Sequence, residues 1–516
     1  MPRRLVLAAL AILAVASATA QEPRRGGTMT VALTADIRGV EPGIPDANTD
    51  NIIHQIFEGL VAFRADLTVG PALAENWATE DDGRTYRFRL RPDVRFHNGA
   101  ALTADDYVWT WNRLQKLPSW PCRGDFNGSQ ATKVVAVEAP DPATVLYRLE
   151  QPAGLFLKQI ANVACHAVAA HRDSADAEGK WRTPIGTGPL VFKEWRRGEY
   201  VTLERFADYR ASPAPSSGYA GARPMHVDRV QFRVIPDQAA AEAALLAGQV
   251  DVVPFLGPDR IADMKRRGMG IIATPGLGWS AILLNKKDPL LANPVMRRAL
   301  AHAIDIDALA EATSDGLLKA NPSGVSEVSP YFDESLRAWP KYDPDRARAL
   351  LKEAGYAGQT LRIQANRQYP MSHDHAVLMQ AMLTAVGVKA EMEVLEWAAM
   401  LSSFYKEGYQ ILSWIQSPRL DPSLQYASFL ADKAKMAWAT WNDAGALALL
   451  QESVVSADEA RRRRIFHALH ALMQEQLPIL PIRFSLIVQG VHPSLKGYTA
   501  WPGARTITWN AWKDAP

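Results

Sequence analysis

Cysteine is scarce in this chain, since only Cys122 and Cys165 occur among its 516 residues. Two thiols cannot build a cysteine-rich metal centre by themselves. In an oxidising compartment we expect them to form one disulfide, and the alternative is a pair of unpaired buried thiols. A bridge closing a loop of this length would stabilise the fold by roughly 4 kcal/mol.

Long apolar runs are equally rare, and the longest one, Leu5–Ala16, lies at the N-terminus. It is shorter than the ~20 apolar residues that cross a bilayer. Small residues follow it at Ala18–Ala20, before Gln21. This pattern predicts a cleavable secretory signal peptide over residues 1–20 rather than a membrane anchor. Because position 21 is Gln and not Cys, we expect a free, soluble, periplasmic protein without a lipid anchor.

The chain also lacks an excess of either charge. Removing Arg3 and Arg4 with the signal peptide lowers the basic count from 57 to 55, equal to the 55 acidic residues. Nucleic-acid-binding proteins usually carry a strong basic excess. The composition therefore argues against a nucleic-acid partner.

Catalytic motifs are missing as well. The sequence has no Gly-x-Ser-x-Gly elbow and no His-Glu-x-x-His helix. The stretch PIGTGP (184–189) resembles a phosphate-binding loop, but Leu190–Phe192 continues it as a strand. A P-loop needs Lys and Ser or Thr after its last glycine, and then a helix. We interpret PIGTGP as a structural turn.

One cluster, His373-Asp374-His375, has side chains that could bind a metal. Two histidines two residues apart need a strand or loop, and further ligands from elsewhere. A secreted metal-dependent enzyme using His373 and His375 therefore stays an alternative hypothesis, although a polar pocket rim or a surface loop is favoured. We expect no metal and no cofactor.

Strand and helix patterns alternate along the chain. Tyr86–Leu90 alternates apolar and basic residues as a half-buried strand does, and Thr103 with Asp106 resembles a capping box at a helix start. Residues 230–253 read as strand, helix and strand, which indicates an α/β domain. Ser456 with Glu459 predicts a second capping box, and Arg461–Arg464 is interpreted as a solvated helix face.

Six stretches of the sequence together resemble the extracytoplasmic solute-binding proteins of family 5, the peptide/nickel class. They follow the family's order over nearly the whole chain from about Gly27. The stretches are IFEGLVAF (56–63), GPALAENWATEDDGRTYRFRLRPDVRFHNGAALTADDYVWTWNR (70–113), PIGTGPLVFKEW (184–195), NPVMRRALAHAID (293–305), YDPDRARALLKEAGY (342–356) and LPILPIR (477–483).

The resemblance implies a two-lobed α/β periplasmic binding protein of type II, similar to cluster C, with an extra inserted domain and a ligand cleft between the lobes. The first lobe would be discontinuous and the second would be one stretch. The implied boundaries are 27–58, 182–280 and 485–516 for the first lobe, 59–181 for the inserted domain and 281–484 for the second lobe.

The resemblance also implies a function. The protein would capture a small solute by closing its lobes and deliver it to an inner-membrane ABC permease with its ATPase. It would act as a monomer and catalyse no reaction. Short peptides are the leading expectation for the solute, followed by other small polar or aromatic molecules, metal chelates and sugars. A sensory or chaperone role is a further alternative.

Aromatic residues in this resemblance suggest the pocket. Trp397 and Trp414 match family pocket aromatics, and Trp279 lies just past the expected crossing between lobes. Ordinary core packing is the alternative for each. Peptide binders of the family carry an Asp three residues after the Trp that matches Trp414, whereas here Ser417 occupies that position and Asp421 lies farther on. Either Asp421 reaches the solute, or the solute has no free ammonium there, which we favour.

The family's carboxylate-binding basic residue tends to come from the stretch that matches NRQYPMSHDHAVLMQ. Arg367, His373 and His375 are the donors available in it. Arg367 would bind a carboxylate through two parallel hydrogen bonds, and a surface arginine is the alternative. If a histidine bound the carboxylate, affinity would fall as the pH rose past its pKa.

Overall fold

The computed structural model describes residues 22–129 and 132–514 of the chain. The predicted signal peptide over residues 1–20 lies outside the described residues. Strands and helices alternate along the rest of the chain in a mixed α/β order.

The strands fall into one large sheet and three small ones. In chain order they are β1 (Thr28–Leu33), β2 (Val61–Phe63), β3 (Val69–Pro71), β4 (Ala74–Glu80), β5 (Thr85–Leu90), β6 (Val134–Asp141), β7 (Thr144–Leu149), β8 (Leu190–Arg196), β9 (Tyr200–Arg205), β10 (Arg229–Val234), β11 (Val252–Val253), β12 (Gly270–Leu284), β13 (Leu361–Ala365), β14 (Ala390–Val394), β15 (Ile411–Gln416), β16 (Ile479–Val491), β17 (Leu495–Lys496) and β18 (Trp512–Lys513).

The α-helices alternate with these strands along the chain. In chain order they are α1 (Ala47–Ile56), α2 (Ala104–Lys116), α3 (Arg123–Phe126), α4 (Phe156–Ile160), α5 (Gln238–Leu246), α6 (Ile261–Arg266), α7 (Pro289–Ala292), α8 (Pro294–Ala303), α9 (Ile306–Ala312), α10 (Pro344–Glu353), α11 (Pro370–Ala385), α12 (Trp397–Tyr405), α13 (Pro422–Ala427), α14 (Ala444–Val455) and α15 (Glu459–Gln476).

The large sheet has ten strands in the order β14-β13-β15-β12-β16-β11-β1-β10-β9-β8. Its two central strands, β12 and β16, are long and antiparallel, and each reaches both halves of the sheet. At one end β12 pairs with β15, and at the other end β16 pairs with β11. The two strands therefore join the halves of the molecule.

The pairing of β12 with β16 is interrupted near its middle. The register shifts between Pro275 and Trp279, opposite Ser485. A Cβ atom on Gly276 would lie 2.5 Å from the Oγ atom of Ser485, so the close approach of the strands requires glycine there. An irregular ladder is easier to bend than a regular one, and it lies where the two halves meet.

The buried apolar side chains divide between the two halves. One core combines β1, α1 and β8–β10 with the four-stranded sheet β4-β5-β7-β6, and the C-terminal residues 491–511 complete it. Two further cores consist almost entirely of residues 279–484. We call the first half, with its small sheet, the first lobe and the second half the second lobe.

Local sequence patterns account for many of these elements. The predicted strand at Tyr86 is confirmed as β5, and the capping box of Thr103 and Asp106 is confirmed at the start of α2. The predicted capping box of Ser456 and Glu459 is wrong. Asp458 caps α15 instead, because its carboxylate accepts hydrogen bonds from the amides of Ala460 and Arg461.

PIGTGP is a turn, as predicted, and β8 follows it. Its two glycines pack against the C-terminal end of α1. A Cβ atom on Gly186 would lie 2.0 Å from the carbonyl oxygen of Ile56, and the Gly188 amide donates to the same oxygen at 2.8 Å. Any larger side chain at Gly186 would push the turn away from α1.

Candidate functional site

Two neighbouring cavities lie between the lobes. The larger has a volume of about 700 Å³, and the smaller has about 340 Å³. Ser417 and Pro418, which follow β15, line both cavities and lie where they adjoin. Because both lobes contribute walls, a molecule held there would be enclosed when the lobes close.

The larger cavity has a charged wall. From the first lobe it is lined by Asp125, Lys158 and Arg505, and from the second by Arg419 and Asp421. Residues after β15 supply both second-lobe charges, whereas the first-lobe charges come from α3, α4 and the C-terminal loop. These segments are far apart in the sequence, so only folding brings the five charged residues together.

Asp421 is the most buried of these charges, and two cations, Arg462 and Lys158, bind its carboxylate. Arg462 of α15 donates to it at 2.6 Å, and Lys158 donates to its other oxygen at 2.7 Å from the opposite lobe. Tyr331 accepts a hydrogen bond from each cation, at 2.7 Å from Arg462 and at 3.2 Å from Lys158. Lys158 therefore ties the first lobe to the second.

The electrostatics of Asp421 follow from this geometry. Burial alone would raise its pKa, but the charges and hydrogen bonds of Arg462 and Lys158 outweigh burial and hold the pKa below its ordinary value. Asp421 also caps α13 through the amide of Ser423. Both of its oxygens are therefore already bound within the protein.

A disulfide fixes one wall of the larger cavity. Cys122 and Cys165 are bridged, at a sequence separation of 43. Asp125 follows Cys122 on α3, and cavity residues Asn162–Ala164 directly precede Cys165. The bridge therefore holds together the two first-lobe segments that face the second lobe.

The smaller cavity has aromatic walls. Tyr369 and Trp397 line it from the second lobe, and Phe255 faces them from the first. Tyr369 meets Trp397 edge to face at 4.9 Å between ring centroids, and Trp414 stacks behind Trp397 at 5.7 Å. Phe255 and Tyr369 remain 49% and 39% exposed. Exposed aromatic rings facing each other across a cleft suit an apolar or aromatic guest.

The sequence-predicted tryptophans are placed differently from one another. Trp397 lies on the cavity wall, and Trp414 supports it from behind. Trp279 is 1% exposed, stacks on Phe429 and donates to the carbonyl of Ser323 at 3.0 Å. It is a core residue of the second lobe and lines neither of the two cavities.

The predicted polar residues are also separated. Ser417 is exposed and lines both cavities. Arg367 is exposed on the loop before α11 and lines neither cavity. Asp421 reaches the larger cavity, yet its carboxylate is already bound by Lys158 and Arg462.

His373 and His375 lie on a helix, α11, and not on the strand or loop that a shared metal would need. His375 is buried, and its Nε2 atom lies 3.0 Å from the hydroxyl of Thr313. Burial, with a smaller effect of Arg483, lowers the pKa of His375 to about 3. Among residues 22–129 and 132–514, the only group spaced to hold a metal is Cys122, Asp125 and Cys165, and its two cysteines form the disulfide.

Several residues of this site carry no signal in the sequence that marks them as site residues, above all Arg462. The prediction of a solvated helix face over Arg461–Arg464 is wrong for Arg462, which is buried and bound to Asp421. A run of four arginines on a helix cannot face solvent on all sides, so one of them points inward. Lys158, Asp125 and Arg419 were missed because nothing in their local sequence distinguishes them from surface charges.

The sequence also matches a family model. Residues 68–437 match the model for bacterial extracellular solute-binding proteins, family 5. The chain belongs to this family. Among curated relatives, it is 27% identical to the dipeptide-binding protein of Escherichia coli (strain K12) over 482 residues, which is 87% of each chain.

Two further comparisons show the breadth of the family. The chain is 27% identical to heme-binding protein A of Haemophilus influenzae (strain ATCC 51907 / DSM 11121 / KW20 / Rd), covering 87% of this chain and 85% of that one. The solved structure of HbpA2 from Haemophilus parasuis superposes with a TM-score of 0.83 at 25% identity, covering 95% of this chain and all of that one. These comparisons confirm the two-lobed α/β fold.

As a family 5 protein, the chain is the solute-binding component of an ABC importer. Family members bind peptides or other small solutes outside the cytoplasm and work with ABC permeases; they are not enzymes. Within the described residues, no helix has the length and apolar character required to cross a membrane.

Proposed function

We propose that this protein is a periplasmic receptor that encloses a short peptide or another small polar or aromatic solute between its lobes and presents it to the permease. The observation that carries the proposal is the pair of adjoining cavities, about 700 and 340 Å³, with walls from both lobes. Their combined size suits a guest of peptide or cofactor dimensions.

Closure about the two crossing strands would bring the cavity walls together. We propose the domain boundaries expected from the sequence: 27–58, 182–280 and 485–516 for the body of the first lobe, 59–181 for the domain inserted in that lobe and 281–484 for the second lobe. The register shift between Pro275 and Trp279 lies beside the expected boundary at 280 and supports a hinge there.

Within the site, we propose that Trp397 packs against an apolar part of the solute and that Trp414 holds Trp397 in place. Ser417 would offer a hydroxyl to the solute at the junction of the cavities. Asp421 would act as a positioning residue for α13, since its oxygens are already bound. The solute then has no free ammonium at Ser417, which supports the expectation from the sequence.

We further propose that the receptor is exported with cleavage of residues 1–20, acts as a monomer and leaves its solute chemically unchanged. A metal-dependent enzyme at His373 and His375 has no support, because His375 is buried against Thr313. A sensory or chaperone role likewise has no feature of the site to favour it over transport.

Native mass spectrometry of the exported protein tests this function. We expect a one-to-one adduct of defined mass, which a cavity-blocking variant, Ala427→Trp, should lose because Ala427 lines the larger cavity. The matched control is Ala444→Trp, at an exposed position at the start of α14. An adduct that Ala427→Trp retains, or a solute released in chemically altered form, would contradict the proposal.

A further inference from the structure

Five charged side chains line the larger cavity, and three of them already have ionic partners. Lys158 and Asp421 pair with each other at 2.7 Å, and Arg505 pairs with Asp50 at 2.9 Å. The other two are Arg419 of the second lobe and Asp125 of the first. They have opposite signs and come from opposite lobes.

Arg419 has hydrogen-bonding capacity to spare. Its Nη1 atom donates to the carbonyl of Pro418 at 3.3 Å, and within the described residues it forms no ion pair. A guanidinium has five N–H donors, and two of them can hold one carboxylate in parallel. Arg419 is also partly buried, so a cation there without an anionic partner is costly. The position favours an anionic group supplied by the solute.

Asp125 presents the complementary case. It is partly buried on α3, and its carboxylate forms no ion pair within the part of the chain that the structure describes. The Cys122–Cys165 bridge holds its backbone, and the side chain of Gln159 donates to its main-chain oxygen at 3.3 Å. A fixed carboxylate of a residue that lines the cavity favours a cationic or donor group of the solute.

Arg419 and Asp125 also influence each other electrostatically across the cavity. Burial raises the pKa of Asp125, and the charge of Arg419 opposes that rise. Burial likewise lowers the pKa of Arg419, and the charge of Asp125 opposes that fall. Within the described residues no ion pair joins Arg419 to Asp125, so both charges remain available to a guest.

We infer, resting on the proposed receptor function, that this site selects a zwitterion whose acidic group binds Arg419 and whose cationic group binds Asp125. An aromatic or aliphatic group of the same solute enters the 340 Å³ cavity, since Ser417 and Pro418 beside Arg419 line both cavities. Because the two charges belong to different lobes, a solute carrying both groups bridges the lobes and stabilises the closed form.

The test uses dipeptides with one aromatic side chain as probes, each in the free form, the N-acetylated form and the C-terminal amide form. Titration calorimetry compares wild type with Arg419→Gln, Arg419→Lys and Asp125→Asn. The matched control is Arg298→Gln, which removes one exposed arginine of α8 that lines neither cavity. Thermal melts verify that every variant is folded.

We expect wild type to bind free dipeptides roughly tenfold or more tightly than either blocked form. Arg419→Gln should lose the preference for the free form over the amide. Arg419→Lys should keep part of this preference, because the positive charge remains but the two parallel hydrogen bonds of a guanidinium are lost. Asp125→Asn should lose the preference for the free form over the acetylated form. Arg298→Gln should resemble wild type.

Wild type binding the free and blocked forms equally would overturn the inference, and so would variants that keep the wild-type preferences. If no probe binds but native mass spectrometry finds another solute, a zwitterionic solute supports the inference and any other overturns it, while the receptor function stands. A protein that carries no solute and binds no probe would contradict the receptor function itself.

Discussion

Tyr369 shows at the residue scale how the site differs from the core. Its ring lines the smaller cavity, meets Trp397 edge to face and stays 39% exposed. Core aromatics such as Trp279 are fully packed. An exposed ring gains burial only when a guest arrives, so its contribution belongs to binding and not to folding.

Replacing Tyr369 should therefore weaken binding without unfolding the protein. We expect Tyr369→Ala to lower solute affinity about tenfold, since an aromatic contact is worth roughly 1 kcal/mol beyond area burial. The matched control is Tyr342→Ala, because Tyr342 is 46% exposed and lines neither cavity. Calorimetric affinity and melting temperature separate the two effects. Equal affinity losses in both variants would contradict a role for Tyr369.

Three buried histidines and the partly buried His97 make stability depend on pH. Burial, the largest cause in each, lowers the pKa to about 3 for His54 and His375 and to about 4 for His97 and His470. Below the ordinary pKa of ~6.5, the unfolded chain takes up protons that the folded chain does not. The contribution of these histidines to the free energy of unfolding should therefore be complete above about pH 7 and decrease as the pH falls.

Replacing His375 tests this directly. We expect His375→Gln to lose less stability than wild type between pH 7.5 and pH 5, by about 1–2 kcal/mol. Urea unfolding at both pH values measures the difference. Solute affinity should not fall as the pH rises through 6 to 7, since a neutral, buried His375 cannot be the cation that holds a carboxylate. An unchanged pH dependence of stability in the variant would contradict this account.

At the scale of single elements, α15 contributes one partner of a buried ion pair. Arg462 is the one arginine of the run Arg461–Arg464 that points into the second lobe, where it binds Asp421 and Tyr331. Asp421 in turn caps α13. The pair thus fixes α13 against α15 behind the cavity wall.

Breaking this pair should be costly. We expect Arg462→Ala to lower the free energy of unfolding by about 3–5 kcal/mol, because it removes the main partner of a buried carboxylate. Arg464→Ala is the matched control, since Arg464 is exposed on the same helix. Urea denaturation compares the two. A loss below 1 kcal/mol for Arg462→Ala would show that Lys158 alone satisfies Asp421.

The elements also show what a sequence reveals and what it hides. Caps and alternation are local, so β5 and the capping box of α2 are predictable from a few neighbouring residues. The start of α15 was misassigned because Asp458, two residues on, competes successfully with Ser456. The family resemblance led to Trp397 on the cavity wall and Trp414 behind it, and to Ser417. It could not reveal Asp125 or Lys158, since their roles depend on a lobe distant in sequence.

At the scale of the whole molecule, the first-lobe segment 154–158 is one of the places where the lobes touch. Lys158 of this segment pairs with Asp421, and Gly154 approaches the backbone of Ser456 between α14 and α15. A Cβ atom on Gly154 would lie 2.3 Å from the Ser456 carbonyl oxygen. The close contact of the lobes therefore requires glycine at this position.

A methyl group there should hold the lobes apart. We expect Gly154→Ala to increase the radius of gyration of the solute-bound protein and to weaken affinity about tenfold, because closure is hindered outside the cavity. The matched control is Gly408→Ala, where the nearest atom to an added Cβ lies 3.4 Å away. Small-angle scattering and calorimetry measure both quantities. Unaltered scattering and affinity would contradict this contact as a closure stop.

The core of the first lobe has a consequence for biogenesis. It combines residues from Met29 onward with Trp501, Ile507 and Trp509 near the other end of the chain, whereas residues 279–484 supply almost all of the two second-lobe cores. During synthesis from the N-terminus, the second lobe has all its parts while the first still lacks its last tryptophans. Loss of the last residues would therefore leave the second lobe with a complete core. The first lobe, although it is synthesised first, would lack Trp501, Ile507 and Trp509.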